Sequence, residues 1–223
     1  MMERTIRVTG KGKISVKPDT IRLLISLEDT FREYEDTLKN SAENVEILKD
    51  IIERLGYRRQ DLKTLYFNIN TEYESYQDRD KSWQKRFKGY KYVHRMKLEF
   101  EADNKRLGKI LYALANCPVS PEFSIEYTVA DPEKAKNELL GAAAKDSMAK
   151  ADVLAKAAGV RLGEIVTIDY SWGEIDFVSR PLDKMSMRCC AAEPIESDCY
   201  EMDIEPDDID MTDTVTVVWK LTD

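Results

Sequence analysis

Val8-Thr9-Gly10-Lys11-Gly12-Lys13-Ile14-Ser15-Val16-Lys17-Pro18-Asp19 decides how the chain is read. Ile6 and Val8 share one face before the glycines, and Ile14 and Val16 share one face after them. Apolar residues at a period of two, interrupted by glycines, spell strand, glycine turn, strand. Pro18-Asp19 then turns a corner. Beyond it Ile21, Leu23, Ile25 and Leu27 alternate, the mark of a strand with one buried face.

Working outward, the period changes. Tyr34, Leu38, Ala42, Val45, Leu48, Ile52 and Leu55 fall at helical spacing, predicting a helix over about 30–55 with Gly56 as its stop. Leu65, Phe67, Ile69, Thr71 and Tyr73 return to a strand. Residues 77–89 are polar and basic and read as a long hairpin loop. The return strand carries Tyr90, Tyr92, His94, Met96, Leu98 and Phe100 on one face and Lys91, Arg95, Lys97 and Glu99 on the other, so one face of the sheet is wet. Asp103 caps a short helix with Leu107, Ile110, Leu111 and Leu114. A strand follows near 122–129. Asp131-Pro132-Glu133 starts a long helix: a capping aspartate, proline at the first position and an acid in the first turn. That helix runs to Ala158, and its alanines (Ala142, Ala143, Ala149, Ala157) call for a close-packed neighbour. Strands near 165–172 and 214–221 complete the set, with no periodic element between 173 and 211.

The resulting fold class is α+β, with two-layer antiparallel sheet and helix sandwiches in the order β-β-α-β-β-α-β-α-β-β. The chain of 223 residues reads as one domain over 1–223, with a β-β-α-β subdomain inserted at about 65–129. Residues 179–213 read as an irregular, acidic, cysteine-bearing loop.

Composition narrows the functional classes. An apolar fraction of 43% provides for a packed core. No apolar run reaches the roughly 18 residues a membrane span needs. The N-terminus enters a strand at once and shows no secretory h-region, which places the protein in the cytoplasm as an expectation. In that compartment Cys117, Cys189, Cys190 and Cys199 are expected to stay unpaired. Net charge is −8, yet ten acids and no Lys or Arg lie between Glu193 and Asp213, so the acidity belongs to one segment.

Several passages, taken in order, resemble the SIMPL domain family, which includes YggE-like and periplasmic immunogenic proteins. They are the opening stretch; Leu55-Gly56 followed by Asp61-Leu62-Lys63-Thr64; Thr128-Val129-Ala130-Asp131-Pro132; the Ala-Lys-Ala run from Ala149 to Val160 with Leu162-Gly163; and the closing Val215-Thr216-Val217. The resemblance covers nearly the whole chain. It implies a soluble α+β protein that forms large homo-oligomers and is linked to stress defence, including oxidative stress. It supplies no catalytic residues and says nothing for 180–213.

The residues themselves name no reaction. Gly10 and Gly12 lack the following helix that a phosphate-binding loop needs. His94, the only histidine, sits on an apolar strand face with no nucleophile motif near it in sequence. The chain is therefore expected to be non-enzymatic and to need no cofactor. Cys189, Cys190 and Cys199 are the candidates for a metal-binding or redox-sensing loop over 189–199, although adjacent cysteines chelate poorly and no metal is expected. Glu205-Pro206-Asp207-Asp208 lacks calcium-loop spacing. The basic, aromatic hairpin suggests single-stranded nucleic acid, but the protein as a whole is acidic, so no nucleic acid is expected. The expected partner is a second copy of the chain. Its interface candidates are Arg79, Lys85, Arg86, Lys88 and Lys91 on the hairpin, meeting Glu201, Asp203, Glu205, Asp207 and Asp208 across a subunit boundary, with a meeting of the same two segments inside one subunit as the alternative.

Overall fold

The computed structural model describes residues 4–78, 80–170, 177–180 and 204–222. Along the chain the elements are β1 (Thr5–Val16), β2 (Thr20–Phe31), α1 (Tyr34–Arg54), a 3-10 turn (Arg59–Asp61), β3 (Lys63–Gln77), β4 (Trp83–Glu101), α2 (Asn104–Ala115), β5 (Glu122–Thr128), α3 (Pro132–Ala157), β6 (Arg161–Tyr170), β7 (Val178–Ser179) and β8 (Ile209–Thr222). This is the expected α+β class, with antiparallel sheets backed by helices. The chain divides into two compact units. The first comprises residues 1–19, 128–179 and 207–223, and the second 20–127 and 180–206.

In the first unit the sheet order is β1-β8-β6. The opening stretch is not strand, turn, strand. β1 is continuous and pairs with β8 in unbroken antiparallel register, from Thr5 opposite Lys220 to Val16 opposite Ile209. Gly10 and Gly12 sit inside that ladder, and neither adopts a left-handed backbone. Their reason is space. A Cβ on Gly10 would lie 2.1 Å from the Ala143 carbonyl oxygen and 2.3 Å from the Ser147 amide nitrogen; one on Gly12 would lie 2.3 Å from the Leu139 carbonyl. The backbone of α3 occupies the room a side chain would fill, which also removes any phosphate cradle there.

α3 makes that approach with a buried stripe of every fourth residue: Ala135, Leu139, Ala143, Ser147, Ala151 and Ala155. Residues four apart form one of the natural ridges of a helix, and small ones make it shallow. The Asp131 side chain accepts from the Lys134 amide and Pro132 opens the first turn, as the sequence predicts. Ser147 Oγ donates to the Val8 carbonyl at 2.8 Å, which satisfies a polar group buried in the stripe. β1 is an edge strand. Because the Arg4 carbonyl accepts from the Leu221 amide, even-numbered residues of β1 bond β8 and odd-numbered amides face outward. Asp146 Oδ2 accepts one of these, the Lys11 N–H, at 2.7 Å. The core between the layers holds Val8, Val215, Val217 and Trp219.

The first unit also brackets a long excursion of the chain. The Asp19 amide donates to the Thr128 carbonyl at 3.1 Å, and Asp19 Oδ1 accepts from the Ala130 amide at 2.7 Å.

In the second unit the strands run β3-β4-β2-β5. β2 pairs with β4 antiparallel from Thr20 opposite Glu101 to Phe31 opposite Tyr90. The alternation read in the sequence holds: Ile21, Leu23, Ile25 and Leu27 are buried with Tyr92, Met96, Leu98 and Phe100. α1 contributes Leu48 and Ile52, and α2 contributes Leu107, Ile110 and Leu114. Each such buried aliphatic side chain stabilises by about 1.5–3 kcal/mol relative to exposure. α1 begins at Tyr34 rather than near residue 30 because β2 runs on to Phe31. On the opposite face Arg22 Nε donates to Glu99 at 2.7 Å, and Arg180 Nε donates to the buried Glu126 at 2.8 Å. That face is polar, as predicted, but only partly exposed, and ion pairs hold it.

Candidate functional site

β3 and β4 extend past the sheet they belong to. β2 stops pairing with β4 at Tyr90, whereas β3 stays paired out to Gln77 opposite Trp83. Residues 72–77 and 83–89 therefore form a two-stranded ribbon. Residues 77–89, expected as a long loop, are mostly strand, and the turn is confined to Asp78–Ser82, closed by the Asp78 amide donating to the Ser82 carbonyl at 2.9 Å. Polar composition concealed the pairing. The strand signal lies in cross-strand partners, Tyr73 opposite Phe87, Glu74 opposite Arg86 and Ser75 opposite Lys85.

Four rings run edge-to-face along the ribbon and onto α1. Tyr73 meets Phe87 at 5.8 Å between centroids, Phe87 meets Tyr90 at 5.3 Å, and Tyr90 meets Tyr34 at 5.3 Å. Such pairs contribute roughly 0.5–1.5 kcal/mol each beyond their buried area. Yet the rings remain open to solvent: Tyr73 is 56% exposed, Tyr34 50% and Trp83, near the turn, 72%. A two-stranded ribbon is marginal by itself in water, so this one displays apolar surface that its own unit does not cover.

The basic patch expected on this hairpin is largely answered from within. Arg86 Nε donates to Glu74 at 2.7 Å and its guanidinium lies over the Tyr76 ring. Lys91 pairs with Glu28 at 3.0 Å. Among the described residues no ion pair engages Lys85 or Lys88. Of the acidic candidates, Glu205, Asp207 and Asp208 are exposed. Arg79, Glu201, Asp203, Cys189, Cys190 and Cys199 lie outside the described residues. The expected loop is shorter than read at its C-terminal end, because β8 begins at Ile209 and Asp210 pairs there with Lys13 at 3.4 Å. Cys117 is buried. Among the described residues no group of three or more His, Cys, Asp or Glu is placed to hold a metal ion.

Further back along the same two strands, a cavity of about 420 Å³ lies against α1 and the 3-10 turn. Its apolar lining is Val45, Leu62 and Met96; its polar lining is Lys49, Arg59, Gln60, Thr64 and His94. His94 Nε2 and Thr64 Oγ1 share a hydrogen bond of 2.8 Å, and Phe67 stacks edge-on against the imidazole at 5.0 Å. Burial, reinforced by the nearby Lys49 ammonium, holds His94 below the usual histidine range and keeps the ring neutral near pH 7. Lys49 pairs with Glu46 at 2.9 Å. Arg59 is held by Glu46, Asp50 and Glu53, all on α1. Lys49 and Arg59 were not singled out in the sequence. Nothing local marks them, because they reach His94 from another element.

A family model described as "SIMPL: Protein of unknown function (DUF541)" matches residues 6–219 of the chain. The chain is 27% identical over 176 residues to a 26 kDa periplasmic immunogenic protein of Brucella melitensis, covering 79% of this chain and 67% of that protein. It is 26% identical over 176 residues to a 26 kDa periplasmic immunogenic protein of Brucella abortus, with the same coverage. These names overturn the cytoplasmic placement. That expectation rested on an N-terminal segment that enters a strand at once, which reports on β1 and not on a compartment. The premise that the cysteines sit in a reducing environment falls with it. Among the described residues no helix is long and apolar enough to cross a membrane.

Proposed function

The chain belongs to the SIMPL family, whose function is unknown, and from that premise we propose that it acts without catalysis, by assembling with copies of itself through the β3–β4 ribbon. The supporting observation is the row of exposed rings on a ribbon that β2 leaves unpaired. Aromatic side chains are the residues that most often anchor protein interfaces. The charges set orientation: Lys85 and Lys88, with Arg79, meet Glu201, Asp203, Glu205, Asp207 and Asp208 of a neighbouring copy. Arg86 and Lys91 take a smaller part, since Glu74 and Glu28 already engage them. Two different patches on one subunit give a head-to-tail contact, which closes into a ring when the rotation permits. On this reading the second unit is an insertion within a single SIMPL domain. The names of the Brucella relatives support a periplasmic site of action, where an assembled surface would serve stress defence. The alternative, a metal or redox module over 189–199, lies outside the described residues.

Light scattering after size exclusion tests the proposal. The wild-type chain, 25.7 kDa as a monomer, should elute as a discrete multiple of that mass. Trp83→Ser with Phe87→Ser should reduce it to monomer with unchanged circular dichroism. Lys85→Glu with Lys88→Glu should weaken assembly less. A monomeric wild type, or unchanged mass in the Trp83/Phe87 variant, would sink the assembly reading.

A further inference from the structure

We propose that the cavity between α1, the Arg59–Asp61 turn and the β3–β4 hairpin is a binding site for a small organic monocarboxylate. The carboxylate is received by Lys49 and Arg59, and its apolar body lies on Val45, Leu62 and Met96. The site stands apart from the assembly reading and needs only the second unit.

Size admits it: about 420 Å³ falls within the roughly 300–1,000 Å³ of small-molecule sites. The chemistry of the walls selects the class. No carboxylate is among the lining residues, and each polar lining side chain can donate a hydrogen bond. Lys49 has three donors, of which Glu46 takes one. Arg59 is held in place by three acids on α1, so its orientation is fixed before a ligand arrives. Its Nη1 serves Asp50 and Glu53 and one Nη2 hydrogen serves Glu46, so the Nε–H and the second Nη2–H are the pair left to meet a planar carboxylate. Thr64 and His94 close one side through their mutual hydrogen bond.

The charges also say what the site is not. Lys49 and Arg59 stand beside Glu46, Asp50 and Glu53, two cations against three carboxylates, so with His94 neutral the cluster is net negative by one charge. Long-range attraction for an anion is absent. Binding relies on directed donors plus apolar contact, and an inorganic anion lacks the second. The ligand therefore needs both a carboxylate and a hydrocarbon body.

His94 is the only histidine, so its ring protons form a single NMR reporter. The full chain is titrated with benzoate, with benzyl alcohol and with inorganic phosphate. Benzoate should give a saturable His94 shift with a Kd of about 0.1–1 mM, the range its size supports. Benzyl alcohol should bind at least about fivefold more weakly, and phosphate should give no saturable shift up to about 10 mM. Lys49→Met should weaken benzoate at least about fivefold and leave benzyl alcohol unchanged; Lys49→Gln repeats the test with a polar stem. Absence of a saturable benzoate shift overturns the proposal. So does equal affinity for benzyl alcohol, saturation by phosphate, or full benzoate affinity in both folded Lys49 variants.

Discussion

In the first unit a helix meets its sheet where side chains have been removed; in the second, helices meet their sheet through the largest aliphatic side chains in the chain. α3 rests on Gly10 and Gly12 at Leu139, Ala143 and Ser147, backbone almost against backbone. α1 and α2 send Leu48, Ile52, Leu107 and Ile110 down onto Ile21, Leu23, Met96 and Leu98. Both layers are close-packed, but they fail differently. A contact between backbones has no rotamer with which to absorb an added atom. A contact between branched side chains forfeits its buried area when an atom is removed, and the neighbours close only part of the gap. The first layer is therefore sensitive to addition and the second to subtraction.

Substitutions of a single carbon sharpen this contrast. Gly10→Ala adds one methyl, the smallest side chain available, against two backbone atoms of α3 less than 2.5 Å from its Cβ. It should destabilise the first unit by about 3 kcal/mol or more, at or beyond the usual range for overpacking. Urea unfolding followed by Trp219, buried in β8, measures it, and a shift below about 1 kcal/mol would show that α3 can slide away. Ile52→Val removes one methyl from a fully buried site in the second unit and should destabilise it by about 0.5–1.5 kcal/mol. A larger loss than for Gly10→Ala would reverse the comparison. Gly141→Ala makes the same addition as Gly10→Ala, but on the outer side of α3, where nothing lies within 4 Å of the new Cβ. It should stabilise by about 0.5–1 kcal/mol through helix propensity alone. Destabilisation in thermal melts would mean that the outer face of α3 is not free.

The same contrast explains what the sequence disclosed. Large side chains announce their geometry through period: Tyr92, Met96, Leu98 and Phe100 point inward on β4 as the alternation requires. Caps announce themselves through local hydrogen bonding, so Asp103 and Asp131 start α2 and α3 where expected. Glycine announces only that something unusual is needed. At Gly10 and Gly12 the need is room for α3, more than 120 residues away in sequence, and a turn was the local guess. The alanines of α3 did call for a close neighbour. Of those named, however, only Ala143 lies on the buried stripe, because a low-contrast helix leaves its inward face undefined without the partner. The outgoing strand of the ribbon was legible through Tyr73, but residues 83–89 were hidden because aromatic and charged residues in alternation read as loop when taken singly. Of the cavity's lining, only His94 was read as a candidate site residue, while Val45, Leu62, Thr64 and Met96 were read only as parts of elements and motifs. Lys49 and Arg59 converge on it through tertiary structure, and no spacing rule links them.

The hydrogen bonds between Asp19 and the segment Thr128–Ala130 hold the chain's departure and its return side by side. The first unit consequently registers the intervening hundred-odd residues as it would a short turn, because closure depends on where the ends are and only weakly on what runs between them. On the proposed reading of residues 20–127 as an insertion, such a junction would work as a socket: what is plugged into it can lengthen or shorten at little cost in closure, while the glycine-lined layer of the first unit keeps its own strict geometry.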